Sequence, residues 1–183
     1  ALGGAAVLLL LDTWGQKPVD QARHVQAHFA DAQWITLLFF VGLFIVVAGV
    51  ERAGLLDHLA RALVAATGGS LAATAGAVLW VSAIVSAVID NIPFVATMVP
   101  VVHGLAPAFG GPEAIQPIWW ALSLGACLGG NGTLIGASAN LTVAGFAEQE
   151  GVPFRFWRFT KFAFPLMILT VAIAHVYLWL RYL

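Results

Sequence analysis

The sequence predicts an all-α polytopic membrane protein, and three observations predict it. Hydrophobic residues make up 61% of the chain and charged residues only 9%, against roughly 25% charged in a soluble domain. Residues 32–50, 114–147 and 162–180 contain no Asp, Glu, Lys or Arg, and each stretch approaches or exceeds the ~20 residues a spanning helix needs. Between Ala62 and Pro112 the only formally charged residue is Asp90, flanked by apolar arms long enough to enter a bilayer. The composition also sets other classes aside. A net charge of −1 says nothing about nucleic acid, and no basic run points to it as a partner; none is expected. A single cysteine, Cys127, makes neither an intrachain disulfide nor a thiolate metal cluster.

Along the chain, residues 1–11 are apolar but too short to span. They lack an initiator Met and a basic leading region, so they read as the tail of a helix whose start is missing, and the chain as a fragment. Residues 12–31 read as a polar loop holding Lys17, Pro18, Asp20, Arg23, His24 and His28. Trp34 opens a span through Val50, with its indole at the interface. In residues 51–66, Leu55, Leu56, Leu59, Leu63 and Ala66 recur at helical spacing among Glu51, Asp57 and Arg61. That is the pattern of an amphipathic helix lying in the membrane interface.

Gly68, Gly69 and Ser70 break this arm. Residues 71–89 form an apolar arm, Asp90-Asn91-Ile92-Pro93 a turn, and residues 94–109 a second arm. Pro93, Pro100 and Pro107 argue against one continuous helix. A pair of complete spans and a re-entrant hairpin both fit, and the isolated charge at the tip favours the hairpin. Non-helical backbone at that depth is tolerated only where protein buries it or a cavity borders it. Gly110 to Glu113 close the element, and Trp119-Trp120 open the next. Gly129, Gly130 and Gly132 surround Asn131, each costing about 1 kcal/mol against Ala inside a helix; they predict a helix broken at its midpoint. Residues 148–161 read as a polar loop with Arg155, Arg158 and Lys161, and residues 162–180 as the last span. With the hairpin returning to its side of entry, Lys17, Arg23, Arg155, Arg158 and Lys161 share one face, against Arg52, Arg61 and Arg181. The positive-inside rule leans the first group toward the cytoplasm.

An ionisable group at mid-membrane depth costs at least about 2.5–3.5 kcal/mol, so Asp90 points to an ion or substrate pathway; an exposed surface turn is the alternative. Ser86, Asp90 and Asn91 place a hydroxyl, a carboxylate and an amide at one turn. Asn131, Thr133, Ser138 and Asn140 surround the other break. Hard cations take oxygen donors, and Asp90, Asn91 and Asn131 form a candidate Na⁺-type set. Discontinuous helices of secondary transporters use such breaks. Ser, Thr and Asn also join membrane helices; that reading is preferred for Ser82 and Thr97, and the site reading for Asn131 and Asn140. The sequons at Asn131 and Asn140 fall inside an apolar segment. Gly125-x-x-x-Gly129 and Gly132-x-x-x-Gly136 read as packing motifs. His103 and His175 have no partner at ligand spacing, and a proton relay through His103 is a minor alternative. Hydrolysis within the membrane would need a second carboxylate, or a base beside Ser138, and the sequence supplies neither. No enzyme activity and no cofactor are expected.

The run from Ser86 through Asp90-Asn91 to Thr97 and Pro100, followed by Gly129-Gly130-Asn131-Gly132-Thr133 through Ser138 and Asn140, resembles the ion transporter superfamily. The closest likeness is to its arsenite permease / NhaD-type sodium–proton antiporter branch, related to citrate and dicarboxylate carriers. The resemblance implies the second of two inverted repeats, with an interfacial arm helix, a re-entrant hairpin, a broken helix and a final span. It divides the chain into scaffold-type residues 1–66, transport-type residues 67–150, and a loop and final span at 151–183. It assigns substrate or ion binding to Ser86, Asp90, Asn91, Asn131, Thr133, Ser138 and Asn140, with Na⁺ or H⁺ as the coupling ion. It further implies elevator-type motion, an N-terminal repeat and a second copy as partners, membrane lipid around them, and a bacterial inner membrane as the location. Dicarboxylate carriers carry an uncharged Ser-Asn-Thr at the tip where this chain has Asp90-Asn91-Ile92. A carboxylate there repels a dianion and can exchange a proton for a metal ion. The expectation is therefore cation–proton antiport or arsenite-type export, with sodium-coupled citrate or dicarboxylate carriage, a channel or a non-transporting subunit as alternatives.

Overall fold

The computed structural model describes residues 2–15, 17–30 and 34–183. Among the described residues every regular element is a helix, as the all-α polytopic class requires. The chain divides into two compact units, residues 1–42 and 43–183.

In the first unit α1 (Leu2–Asp12) leads through a turn at Gly15, φ +78°, toward α2 (Pro18–Ala30). Thr13 is buried. Its Oγ1 donates to the Leu9 carbonyl at 2.8 Å and accepts from Gln21 Nε2 at 3.4 Å, tying the turn to α2. The segment expected as a polar loop is therefore largely helical. Pro18 supplies a pre-set φ at the first helical position, and Asp20 a negative charge in the first turn. The expected loop end at Asp31 and the interfacial ring of Trp34 lie outside the described residues and side chains. Helix α3 (Trp34–Arg52) starts in the first unit and ends in the second.

The second unit holds the remaining helices. Gly54, at φ +72°, turns the chain into α4 (Leu55–Ala66). The apolar stripe of α4 is divided: Leu56 and Ala60 are buried, whereas Leu55 and Leu59 face outward. Ala60 packs on α6 at Gly104, where an added Cβ would stand 3.3 Å from its methyl. Gly68 and Gly69 take positive φ, and α4 meets α5 (Leu71–Ser86) at a 120° bend. Ser70 caps α5 by accepting from the Ala73 N–H, and the Thr67 and Thr74 hydroxyls meet at 2.6 Å across the bend.

Helix α6 (Asn91–Leu105) runs unbroken through Pro100 and is prolonged by a 3₁₀ turn at Ala106–Ala108. Pro93 and Pro107 stand in first turns, where no intrahelical N–H is needed, so the three prolines divide the hairpin less than expected. Helices α7 (Gln116–Gly129), α8 (Ser138–Gln149) and α9 (Phe156–Tyr182) complete the chain. Helix α9 starts at Phe156, ahead of the expected Phe162, so Arg158 and Lys161 ride on the helix instead of a loop.

Contacts fix the helix directions. Gly125 lies against the Leu79 carbonyl and Gly129 against that of Ala83, so α5 and α7 run parallel in closest contact, as the Gly125-x-x-x-Gly129 motif predicts. Tyr182 stacks on Trp120 at 6.0 Å, and Met167 reaches Gly132 just past the end of α7; α9 is therefore antiparallel to both. His103 meets Trp119 edge-on at 5.0 Å, so α6 returns antiparallel to α7. The α5–α6 pair thus begins and ends toward the C-terminal end of α9, while its turn lies level with Met167, near the middle of that 27-residue helix. Met167, Val171, Ala174 and Leu178 form the buried stripe of α9; Leu166, Leu169, Ile173 and Leu180 face outward, as on a helix with lipid on one side. Among the described residues, Asn91–Ala108 and Phe156–Tyr182 are long and apolar enough to cross a membrane.

Candidate ion and substrate site

The turn after α5 and the break after α7 meet at one place, and the joint is made from small residues and carbonyls. Ser86, fully buried at the end of α5, donates from Oγ to the Ala126 carbonyl at 2.7 Å. Thr133 Oγ1 donates to the Ala87 carbonyl. Asn140 reaches back from α8 and donates through Nδ2 to the Gly130 and Thr133 carbonyls, both at 3.0 Å. Those carbonyls belong to the unwound segment 130–137, so one amide holds the open backbone in shape. Gly136 permits the closest approach. A Cβ there would stand 2.8 Å from the Gly130 carbonyl oxygen, 2.9 Å from that of Ser86 and 3.0 Å from that of Ala87. Gly132 is held between Met167 and Ala87 in the same way.

Asp90 links the two breaks through its charge. As the N-cap of α6 it accepts at Oδ1 from the Ile92 N–H at 3.1 Å, and at Oδ2 it accepts from the Ser138 N–H, the first of α8, at 2.9 Å. One half-buried carboxylate thus satisfies orphan donors at two helix starts, where the macrodipole favours negative charge. Among the described residues no Lys, Arg or His pairs with it. A bond to a charged acceptor contributes about 1.5–3 kcal/mol.

The seven residues singled out in the sequence therefore separate by what their side chains touch. Ser86, Thr133 and Asn140 fasten the tip to the break, and Asp90 bridges it. The side chains of Asn91, Asn131 and Ser138 make no hydrogen bond to the protein among the described residues; Asn91 is half-buried, and Asn131 and Ser138 are exposed. Two packing assignments change. Ser82 is buried without a hydrogen-bond partner among the described residues, and Thr97 donates to Pro93 within its own helix at 2.9 Å, so neither joins described helices through its hydroxyl. Gly132 and Gly136 lie in the unwound segment, where they admit backbone and the Met167 methyl instead of a facing helix. His103 and His175 pack near the other end of α7 and α5, away from the break. Sequence reasoning missed the Ser138 N–H, the Ala126, Ala87 and Gly130 carbonyls, and Met167. Main-chain groups carry no residue-type signal, and Met167 looks like any other apolar position of a span.

A family model, CitMHS, described as a citrate transporter, matches residues 5–125. The chain belongs to this family. The matched region takes in the Asp90 tip and ends before the break. An uncharacterized transporter of Mycobacterium bovis is 48% identical over 155 residues, covering 85% of this chain and 36% of that protein. An uncharacterized transporter of Synechocystis is 34% identical over 197 residues, covering all of this chain and 43% of that protein. The P protein of Homo sapiens is 42% identical over 153 residues, covering 80% of this chain and 18% of that protein. The chain thus spans less than half the length of these relatives. These likenesses place it with ion and citrate transporters of the membrane, as the two motifs imply; they do not single out the arsenite permease / NhaD-type branch.

Proposed function

We propose that this chain supplies one repeat of an ion-coupled secondary transporter, in which the α5–α6 tip and the α7–α8 break form half of a transport site at mid-membrane. The observation that carries this reading is the Asp90 carboxylate, shared by the starts of α6 and α8 at the level of Met167. Helix α9 is roughly 40 Å long at ~1.5 Å per residue, so its middle falls at the depth where an ionisable group is functional by default. In this reading α5–α6 is a re-entrant hairpin and α4, turned 120° from α5, is the interfacial arm. A proton or a Na⁺ ion on Asp90 weakens its hold on the Ser138 N–H, which couples ion occupancy to the joint between tip and break. Asn91 and Asn131 serve as neutral oxygen ligands.

The transported species in this reading is inorganic, by cation–proton antiport or arsenite-type export, because an ionised Asp90 already occupies both helix starts and repels a dianion. Sodium-coupled carriage of citrate or a dicarboxylate is the second reading, favoured by the description of the matching family. A cation beside Asp90 would neutralise it and return both helix starts to an anionic substrate. The remaining parts of the proposal are an N-terminal repeat that completes the site, a homodimer with elevator-type motion, and a bacterial inner membrane.

The test uses the full-length parent in liposomes that hold a pH dye, with Na⁺ or Li⁺ added against a proton gradient. Proton movement that requires both the cation and Asp90 supports antiport. Citrate uptake that requires Na⁺ and Asp90 favours the second reading. Flux that never concentrates its substrate against a gradient shows a channel.

A further inference from the structure

A second constellation lies at the N-terminal end of α9, away from the joint. The first turns of α9 set Arg158, Phe159, Phe162 and Leu166 on one stripe, and the strap at 152–155 runs beside it to enclose an open groove of about 480 Å³. Its lining changes in chemistry along the helix. Arg155 and Arg158 line it at the start of α9, while Phe162 and Leu166, 67% and 60% exposed, line it one and two turns further on. Phe154 and Phe159 stand edge-to-face at 6.4 Å along the wall.

Glu148 and Glu150 are close in sequence, yet neither arginine has a carboxylate partner among the described residues. Depth adds a second constraint. Residues 162–180 carry no formal charge and fill the hydrocarbon of a bilayer ~30 Å thick. Arg155 and Arg158 therefore stand just outside it, at the level of lipid phosphates. An occupant must bring an anionic group to the arginines and an apolar chain to Phe162 and Leu166. A free oxyanion would satisfy the arginines and leave the apolar lining untouched. A zwitterionic lipid carries its own cation beside the phosphate. An anionic phospholipid brings the phosphate without that cation, and its acyl chain meets the apolar residues.

We propose that this groove is a binding site for one anionic phospholipid, with its phosphate between Arg155 and Arg158 and an acyl chain along Phe162 and Leu166. The proposal stands apart from the transport reading and needs only that α9 spans the membrane. Full-length protein in detergent, titrated with phosphatidylglycerol, phosphatidylcholine or inorganic phosphate while thermal unfolding is followed, tests it. Phosphatidylglycerol is expected to raise the unfolding midpoint saturably, and the other two to leave it in place. The Arg155→Gln/Arg158→Gln double variant should bind phosphatidylglycerol about 25-fold more weakly, at about fivefold per cation. Should that variant not fold, Arg158→Gln alone is read the same way, with an expected fivefold loss. An equal response to phosphatidylcholine or to phosphate overturns the assignment, as does an undiminished response in the variants. No response to any of the three also overturns it, because the groove is then filled by the protein itself.

Discussion

Asparagine at position 90 keeps the shape of the side chain and removes its charge. One oxygen still accepts from the Ile92 N–H, but the new NH₂ faces the Ser138 N–H, donor against donor, where a carboxylate oxygen now accepts at 2.9 Å. The lost bond to a charged acceptor contributes about 1.5–3 kcal/mol, and about 0.3–1 kcal/mol at each helix start goes with the charge. Taking about 2 kcal/mol as the loss, the tip–break joint opens about 30-fold more often, at 1.4 kcal/mol per tenfold. The α5–α7 interface contains no part of Asp90, so the fold persists. Amide hydrogen exchange at Ser138 in the full-length protein should therefore speed up by about 30-fold in Asp90→Asn, and cation-dependent proton flux in liposomes should vanish. Unchanged exchange would refute the bridge between the two breaks. Faster exchange with wild-type flux would leave Asp90 as a helix cap and remove it from transport.

The other predictions separate fastening from binding. Gly136→Ala drives a Cβ into the carbonyls of Gly130, Ser86 and Ala87, and overpacking of this kind costs about 1–3 kcal/mol. Gly145→Ala, with open space around it, should leave the melting temperature level or raise it, which makes it the control. Among the described residues Asn140→Ala leaves the Gly130 carbonyl without its donor and the Thr133 carbonyl with the Gly136 N–H alone, at 3.3 Å; a loss of about 1–3 kcal/mol is expected, read as a lower denaturation midpoint together with weaker transport. Asn91→Ala and Asn131→Ala remove side chains that make no hydrogen bond to the protein among the described residues. Stability should change by less than about 0.5 kcal/mol, while the cation concentration for half-maximal flux rises several-fold. Unaltered ion dependence would make both residues bystanders.

Membrane residence, the helical class, the lone charge at Asp90 and the glycine-rich break were legible from the sequence, because lipid imposes composition and helix breaks demand residues of special type. The polar stretch before Ala30 reads as a loop from its polarity, yet Pro18 and Asp20 start a helix that polarity alone does not announce. The start of α9 is hidden in the sequence because Arg158 and Lys161 resemble a loop, although charged residues ride readily on a helix end outside the hydrocarbon. The division of labour among the seven site residues was out of reach. Whether Asn140 faces a cation or the Gly130 and Thr133 carbonyls depends on where residues 130–137 fold, and the side chain is the same in either case. The sequence by itself determined that a carboxylate and a set of small oxygen donors interrupt long apolar stretches. Only the tertiary structure decided that the carboxylate joins two helix starts through main-chain N–H groups, because its partner at Ser138 is a backbone donor and every residue except proline carries one.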